Sequence, residues 1–230
     1  MTRSHDRRWV LVGILVLLFG MSMSMSGVAG QTLADDRAAL MSFKTGVSDP
    51  GTALVNWGSG SDPCAAATPW WGVGCNSAGR VVSVSLRSSK LSGEGATSLT
   101  YLTNLTALTD LDVSFNAFTG VVPDVCRGGN AKCAATIARV ILSGNMLNGV
   151  LPGNFAGCDA LKHYDVANNF ITGTIPQLGT TAQPLRALEF LSLTFNTISG
   201  TIPSSLSVIS TLKTLRLGGC KLQGEENRTI

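Results

Sequence analysis

Charged side chains are scarce in this sequence. Only 13% of its 230 residues are Asp, Glu, Lys or Arg, and 17 basic residues stand against 14 acidic ones, a formal charge of +3. So small a surplus provides no cationic face of the kind that binds nucleic acid. Because 44% of the residues are hydrophobic, the chain has enough apolar surface to fold, and disorder is disfavoured. The length suits one domain or one repeat array with a continuous core.

Histidine and aromatic residues are also few. The chain has two His, and its aromatic residues are 8 Phe, 4 Trp and 2 Tyr. The shortage of His argues against His-based catalysis and against a His-rich metal site. We therefore expect a mostly aliphatic core, and no cofactor, bound metal or enzymatic activity.

The first thirty residues have the pattern of a targeting segment. Three arginines precede an uncharged apolar run at 9–20, and small residues follow at 27–30. The pattern predicts a signal peptide, residues 1–30, cleaved after Gly30. An uncleaved signal anchor is the alternative, because 9–30 contains no charge and is long enough to span a bilayer. In either case the rest of the chain is exported. Removing the segment lowers the net charge to +1, since 14 basic and 13 acidic residues remain.

A ten-residue phrase occurs six times. The copies are VSLRSSKLSG (84–93), LDVSFNAFTG (111–120), VILSGNMLNG (140–149), YDVANNFITG (164–173), LSLTFNTISG (191–200) and LRLGGCKLQG (215–224). We call each repeat a coil and number the coils one to six. The sixth residue of the phrase recurs at intervals of 27, 29, 24, 27 and 24, which indicates a period of 24 with three insertions. A fixed period of this length is the signature of a repeat architecture.

Each column of the phrase has a physical interpretation. Alternating apolar residues such as Leu111 and Val113 predict a short strand with one buried face. Stacked coils combine such faces into a continuous core that no single coil could bury. The sixth position can serve the turn after the strand, because an amide both donates and accepts hydrogen bonds. We call this position the ladder; it is occupied by Ser89, Asn116, Asn145, Asn169, Asn196 and Cys220.

The phrase and its surroundings resemble the plant-type extracellular leucine-rich repeat family, whose consensus is L-x-L-x-x-N-x-L-x-G-x-I-P. Upstream, DDRAALMSFK at 35–44, Trp57 and WWGVGC at 70–75 resemble the N-terminal cap of that family. The resemblance covers about residues 33–224. It implies an α/β-type leucine-rich repeat solenoid: a right-handed curved superhelix with a short parallel β-sheet on the concave face, an irregular or 3-10 convex side and a helical N-terminal cap. The first coil departs from the consensus at Gly95-Ala96, where Ile-Pro is expected.

The resemblance also sets the domain boundaries. We expect a disulfide-stabilised cap at 31–80, six repeats at 81–224 and an open, truncated C-terminal end at 225–230, which lacks the Cys-paired cap of the family. In the cap, Asp35 and Asp36 are interpreted as the acidic first turn of an amphipathic helix rather than as a paired-carboxylate site.

The six cysteines fall into three pairs. The resemblance implies a disulfide between Cys64 and Cys75 in the cap. Cys126 and Cys133 bracket the longest insertion, where a local disulfide is expected in an exported protein; a zinc site is the alternative, although no His lies nearby. Cys158 and Cys220 lie more than two coils apart, about 10 Å or more at a spacing of roughly 4.8 Å per coil. A disulfide needs closer Cα atoms, so both are expected to be free and buried.

Side chains that alternate with the buried strand residues should line the concave face. The candidates for partner contact are Asp110, Asp112, Phe115, Arg139, Ile141, His163, Asp165, Phe190, Phe195 and Arg216. Apolar candidates among polar ones suit a peptide or a protein. A lateral edge of the coils or the insertion at 126–135 could carry the contact instead. His163, flanked by three acids, invites a catalytic interpretation, but no nucleophile context accompanies it, and we expect a surface histidine.

The function implied by the resemblance is extracellular recognition. The chain would be the ectodomain, or the N-terminal part of the ectodomain, of a receptor-like protein or kinase, with a peptide ligand or a co-receptor ectodomain as partner. A membrane would be reached through a missing C-terminal segment or an uncleaved anchor. The alternative is a soluble inhibitor of cell-wall-degrading hydrolases, similar to polygalacturonase-inhibiting proteins, or a small secreted adaptor. Sequons at Asn104 and Asn227 predict N-glycosylation.

Overall fold

The computed structural model describes residues 31–58, 60–126, 136–153, 155, 158–178 and 185–223. The predicted signal peptide, Cys133, Asn227 and the predicted open end at 225–230 therefore lie outside the described residues. Within the described residues, the elements in chain order are α1 (Leu33–Thr45), β1 (Val73–Cys75), β2 (Val81–Ser85), β3 (Ser92–Glu94), α2 (Gly95–Leu102), β4 (Asp110–Asp112), β5 (Ala117–Val121), β6 (Arg139–Ile141), β7 (Met146–Asn148), β8 (His163–Asp165), β9 (Phe190–Ser192), β10 (Ser199–Gly200), a 3-10 helix (Ser204–Val208), β11 (Thr214–Arg216) and β12 (Lys221–Leu222).

The described residues form an α/β-type leucine-rich repeat solenoid. Six strands, one from each coil, are parallel and hydrogen-bonded in the order β2-β4-β6-β8-β9-β11, and β1 of the cap joins them antiparallel to β2. The register keeps equivalent positions side by side: Leu111 pairs with Val140, and Val140 with Tyr164. These middle residues face inward and are fully buried, which makes one apolar core of six short strands.

The ladder connects each coil to its neighbours. The side-chain amide of Asn169 donates to the carbonyls of Leu142, Val166 and Ala167 at 3.1 Å, and its oxygen accepts the amide of Leu147 at 3.0 Å. Asn116, Asn145 and Asn196 make the corresponding contacts in their coils. In coil six the thiol of Cys220 donates to the carbonyl of Leu193 at 3.2 Å. One side chain thus satisfies the backbone groups that the turn leaves without a strand partner.

A second row of strands follows the ladder. Strands β3, β5 and β7 form a parallel sheet, and β10 pairs with β12. Isolated bridges between Val150 and Thr172 and between Thr174 and Ser199 continue the row through coils three to five. In each of coils two to five, the residue of this row that points inward is fully buried: Phe118, Leu147, Ile171 and Ile198.

The cap closes the first coil with a helix and a buried ion pair. Thr32 and Asp35 form a capping box at the start of α1, which satisfies free backbone amides there. Asp36 is fully buried, and both of its carboxylate oxygens accept from the Arg80 guanidinium at 2.8 Å. It also accepts the amide of Val81 at 3.0 Å. Asp36 is therefore more than a helix-terminal acid: it joins the cap to the first strand of the solenoid.

The convex side contains more regular helix than expected. Residues Gly95–Leu102 form α2, and the carboxylate of Glu94 accepts the amide of Thr97 at 2.8 Å as its N-cap. Here Gly95-Ala96 stands where coils two to five have an apolar residue followed by proline, so the proline that favours extended backbone is missing. Coil five instead has the 3-10 helix. Among the described helices, none has the length and apolarity needed to cross a bilayer.

Two of the cysteine predictions are wrong. Cys64 and Cys75 form the cap disulfide, with Cα atoms 5.7 Å apart. Cys126, however, pairs with Cys158 at a Cα separation of 5.6 Å, so the predicted Cys126–Cys133 bond does not exist and Cys158 is not free. The two residues lie on the convex sides of consecutive coils, and stacking brings residues 32 positions apart within disulfide distance. Cys220 is free and half-buried rather than fully buried.

Candidate functional site

The concave face is formed by the outward side chains of the six parallel strands. The backbone register aligns Asp110, Arg139, His163, Phe190 and Thr214 in one row. It aligns Asp112, Ile141, Asp165, Ser192 and Arg216 in a second row. Equivalent residues of neighbouring coils are separated by about one strand spacing, ~4.8 Å. Eight of the ten predicted contact residues thus share one surface, and Phe115 and Phe195 lie at its border with the ladder.

A stack of rings lies in the middle of this face. The imidazole of His163 and the ring of Phe190 are parallel, with centroids 4.0 Å apart and an interplanar angle of 4°. The guanidinium carbon of Arg216 lies 5.2 Å from the centroid of Phe190, within the range of a cation–π contact. Among the described residues, the guanidinium groups of Arg139 and Arg216 have no hydrogen-bond or ion-pair partner. The face therefore offers an aromatic platform beside two cations that are free to pair with a ligand.

Burial lowers the pKa of His163 below its usual 6.5, and the positive charge of Arg139 lowers it further. Arg216 acts in the same direction, while the carboxylates of Asp165 and Asp112 oppose the shift. A neutral imidazole is favoured as a result, and it stacks on Phe190 without adding a third positive charge to the platform.

The acidic residues of the face are held by their own strands. Asp112 accepts the amide and the hydroxyl of Ser114 at 3.0 and 2.6 Å, and Asp165 accepts the amide of Ala167 at 3.0 Å. Asp110 accepts the hydroxyl of Thr109 at 3.0 Å. These bonds fix the carboxylates before a ligand arrives, which lowers the entropy lost on binding.

The floor of the face is more closed than the sequence suggests. Ile141, predicted as an exposed apolar contact, is only 6% exposed, and Asp112 is 8% exposed. Ser143, Ala167 and Ser192 are buried as well. A ligand would therefore meet the more exposed side chains of the face, such as His163 and Phe190, rather than Ile141.

Two phenylalanines at the border are exposed and conformationally unusual. Phe115 is 49% exposed and Phe195 is 65% exposed, and both have positive φ, 56° and 53°. A positive φ is rare for a bulky residue. The ring of Phe115 covers Gly144 in the next coil, and Phe195 covers Gly219 in the same way. These rings extend the aromatic surface to the C-terminal ends of the strands.

One residue of the site was missed in the sequence. Arg87 of coil one lies with its guanidinium carbon 4.3 Å from the ring centroid of Phe115, and it donates to Ser114 at 3.2 Å. Arg87 occupies the slot of the phrase that Ser114 holds in coil two. Extending the list of outward slots to coil one would have found it.

The remaining site predictions concern glycans and metals. Asn104 is exposed just after α2, and the hydroxyl of Thr106, the third residue of its sequon, accepts from Arg80 at 3.2 Å. Glycosylation at Asn104 stays a prediction. Within the described residues, no three His, Cys, Asp or Glu side chains group as metal ligands would.

Comparison with known proteins agrees with this architecture. Residues 33–76 match the family model described as a leucine rich repeat N-terminal domain, and residues 187–209 match the leucine rich repeat model. The brassinosteroid LRR receptor kinase BRL3 of Oryza sativa subsp. japonica is 37% identical over 169 residues, which cover 71% of this chain and 13% of the relative. The serine/threonine-protein kinase BRI1-like 1 of Arabidopsis thaliana is 31% identical over 232 residues, 95% of this chain and 18% of the relative.

Among solved structures, the Arabidopsis receptor kinase HAESA in complex with the peptide hormone IDA and the co-receptor SERK1 is similar. The TM-score is 0.71 at 32% identity, covering 83% of this chain and 30% of that one. The fold and the matches define a leucine-rich repeat protein with an N-terminal cap. The chain belongs to the plant-type extracellular leucine-rich repeat family, and it spans less than a fifth of the length of the two curated relatives.

Proposed function

We propose that this chain is an extracellular recognition module of the receptor type, which is exported by residues 1–30 and binds a peptide or protein at its concave face. The observation that carries the proposal is the platform of His163 and Phe190 beside the guanidinium groups of Arg139 and Arg216, which have no hydrogen-bond or ion-pair partner in the part of the chain that the structure describes. Rings supply apolar contact area at low entropic cost, and arginines form strong paired hydrogen bonds with carboxylates. This combination suits a peptide that carries an apolar side chain next to a carboxylate.

The two ends of the face differ in charge. Asp110 lies in coil two and Arg216 in coil six, and between them Arg139 in coil three is followed by Asp165 in coil four. A peptide extended along the solenoid would place its carboxylate at Arg216 and its apolar side chain on the platform of His163 and Phe190. The four coil spacings between these ends amount to about 19 Å, the length of about six extended residues.

The comparisons support a receptor more than a hydrolase inhibitor. Both curated relatives are named as receptor or protein kinases, and the similar HAESA ectodomain is described in complex with a peptide hormone and a co-receptor. We infer the same kind of partner for this chain, a peptide ligand with or without a co-receptor ectodomain, and a location outside the cell or at its surface.

A selection of random peptides displayed on phage, carried out against the secreted chain, tests the concave site. The selected peptides should contain an aromatic or aliphatic residue next to Asp, Glu or a free carboxyl terminus. In calorimetric titrations, Phe190→Ala and Arg216→Ala should each weaken their binding by about tenfold or more. Thr201→Ala, at an exposed position just after β10, is the matched control and should leave binding unchanged. Peptides that bind Phe190→Ala and Arg216→Ala as tightly as the parent chain would contradict the proposal.

A further inference from the structure

The outward side chains of the second row of strands form a surface that we call the lateral face. It is defined by three residues in each of coils two to five: Ala117, Thr119, Val121, Met146, Asn148, Val150, Phe170, Thr172, Thr174, Thr197, Ser199 and Thr201. None of the twelve is charged. Charged residues of the same row are Lys90 and Glu94 in coil one, with the Glu94 side chain over Gly120 of coil two, and Lys221 in coil six. A reaction that creates a charge in coil three would therefore change the character of the face.

One residue of the lateral face precedes glycine in a reactive combination. Asn148 and Gly149 form the single Asn-Gly pair of the sequence. In such a pair the backbone nitrogen of the glycine can attack Cγ of the asparagine, because the glycine has no Cβ to shield its amide. The Cγ–Nδ2 bond breaks, ammonia leaves with the proton of the glycine amide, and a succinimide ring remains. Water then opens the ring at either carbonyl, which gives aspartate or isoaspartate.

The side chain of Asn148 is available for this reaction. It is exposed in β7 and has no hydrogen-bond partner within the described residues, and the same is true of Asn104 and Asn168. By contrast Asn76, which is also exposed, accepts two backbone amides at 3.0 Å. Of the three asparagines with unpaired side chains, Asn148 alone precedes a glycine.

The backbone amide of Gly149 is available as well. Its carbonyl accepts the amide and the hydroxyl of Thr172 at 2.7 and 3.0 Å, but its N–H donates no hydrogen bond in the part of the chain that the structure describes. The φ of Gly149 is +74°, and an added Cβ would lie 2.8 Å from Cγ1 of Val121. The stacking of coils therefore requires glycine at this position and leaves its nitrogen without a partner.

We propose that Asn148 is a site of spontaneous deamidation in the folded chain, which places a carboxylate in the middle of the uncharged lateral face. The extended backbone of β7 slows ring closure, because the Gly149 nitrogen must rotate toward the Asn148 side chain. That rotation breaks no hydrogen bond of the Gly149 N–H. The isoaspartate product also lengthens the main chain by one methylene next to the buried Leu147. The reaction needs only water and involves neither the His163–Phe190 platform nor a peptide, so it is independent of the concave site.

Peptide mapping of the aged chain tests the proposal. The secreted full chain is kept folded in mildly alkaline buffer, sampled over weeks and digested. Mass spectrometry then follows the replacement of –NH2 by –OH at each asparagine, with an unincubated sample as background. Asn148 should convert about tenfold faster or more than Asn168, which is exposed and unpaired but precedes Asn169. Equal rates at Asn148 and Asn168, or no conversion at Asn148, overturn the proposal.

The same measurement in urea separates reaction of the folded chain from reaction of rare unfolded molecules. If the ring closed only after global unfolding, the rate in native buffer would be about a thousandfold or more below the rate in urea. We expect a smaller reduction, because only the end of β7 has to move. A reduction that reaches the thousandfold value overturns the proposal.

Two variants test the reactive pair directly, with circular dichroism as the check that each is folded. Asn148→Gln keeps an exposed amide but needs a larger ring, and conversion at this position should fall to the background. Thr172→Asn places asparagine before Gly173, which has φ of +77°, lies under Val150 and donates no hydrogen bond through its N–H within the described residues. This variant should gain a second reactive site, with a rate within about tenfold of that at Asn148. Conversion of Asn148→Gln at the parental rate, or a folded Thr172→Asn chain that stays intact at position 172, overturns the proposal.

Discussion

The concave and lateral faces come from the same ten-residue phrase, yet they differ in chemistry. Outward slots before the ladder hold Asp110, Arg139 and Asp165, whereas outward slots after it hold residues such as Val150 and Phe170. The buried columns are similar on both sides, because both rows of strands pack on one core. The difference teaches that the inward columns specify the solenoid, while the outward slots on each side of the ladder are free to acquire separate chemistry.

The ladder separates the two faces, and removing one member should have the largest effect. Asn169→Ala removes the acceptor of the Leu147 amide, which begins the buried part of the lateral strand in coil three. An unpaired buried amide costs about 2 kcal/mol. Urea unfolding followed by circular dichroism should register this loss in the free energy of unfolding.

Asn148→Ala is the matched control for that prediction. It makes the same chemical change in the same coil as Leu147, but Asn148 is exposed on the lateral face. We expect a change within about 0.5 kcal/mol. Equal losses for the two variants would mean that the ladder does not hold the faces together.

Glycines beneath the phenylalanine rings give the next largest effect. Gly144 has φ of +70°, and an added Cβ would lie 2.9 Å from Cδ1 of Phe115. Gly144→Ala therefore both strains the backbone and displaces a ring at the border of the two faces, and we expect a loss of about 1–2 kcal/mol. The measurement is again the free energy of unfolding in urea.

Gly218 provides the control on the same surface. It lies at an ordinary backbone angle, and its nearest neighbour to an added Cβ is Thr194 at 4.0 Å. Gly218→Ala should leave the stability unchanged or raise it slightly. If Gly144→Ala behaved like Gly218→Ala, the ring of Phe115 would not rest on Gly144.

The repeat made most of the fold predictable. Because each interval is one period of 24 residues with or without a short insertion, the phrase assigned Leu111 and Val113 to the core and Asn169 to the turn without any contact information. The structure has these placements, and the solenoid class is confirmed. The concave row was predictable for the same reason, since Arg139 and His163 both hold the position just before the phrase.

Contacts between columns were not predictable from the phrase. Cys126 lies next to an insertion, so its partner appeared to be Cys133 in the same loop, whereas coil stacking places Cys158 beside it. Ile141 was expected to be exposed because its slot points outward, but the residue is buried. The pairing of Asp36 with Arg80 joins residues 44 positions apart on the cap and the first coil. Each case depends on distances between coils, which a one-dimensional pattern does not contain.

The smallest predicted effect is a loss of stability on acidification, which should arise from the concave face alone. The pKa of His163 is lower in the folded chain than its usual 6.5, because the ring is partly buried and lies near Arg139. As the pH falls through 6.5, the unfolded chain takes up the proton before the folded chain does. The part of the free energy of unfolding that depends on neutral His163 is therefore fully present above pH 6.5 and is lost as the pH falls toward the folded-state pKa. Solvent screening at this partly exposed site limits the loss to less than about 0.5 kcal/mol.

His163→Gln should remove this part of the pH dependence, since Gln keeps a polar side chain on Phe190 but does not titrate. The measurement compares the free energy of unfolding of the parent and the variant at about pH 7.5 and about pH 5.5. The lateral face has no titratable residue among its twelve, so Phe170→Arg should keep the parental pH dependence in the same experiment. A parent and a His163→Gln variant that lose equal stability on acidification would place the titrating group elsewhere.

Peptide binding at the concave face should change in the opposite direction to stability. A protonated His163 adds a positive charge beside Arg139 and strengthens the hold on a carboxylate at low pH.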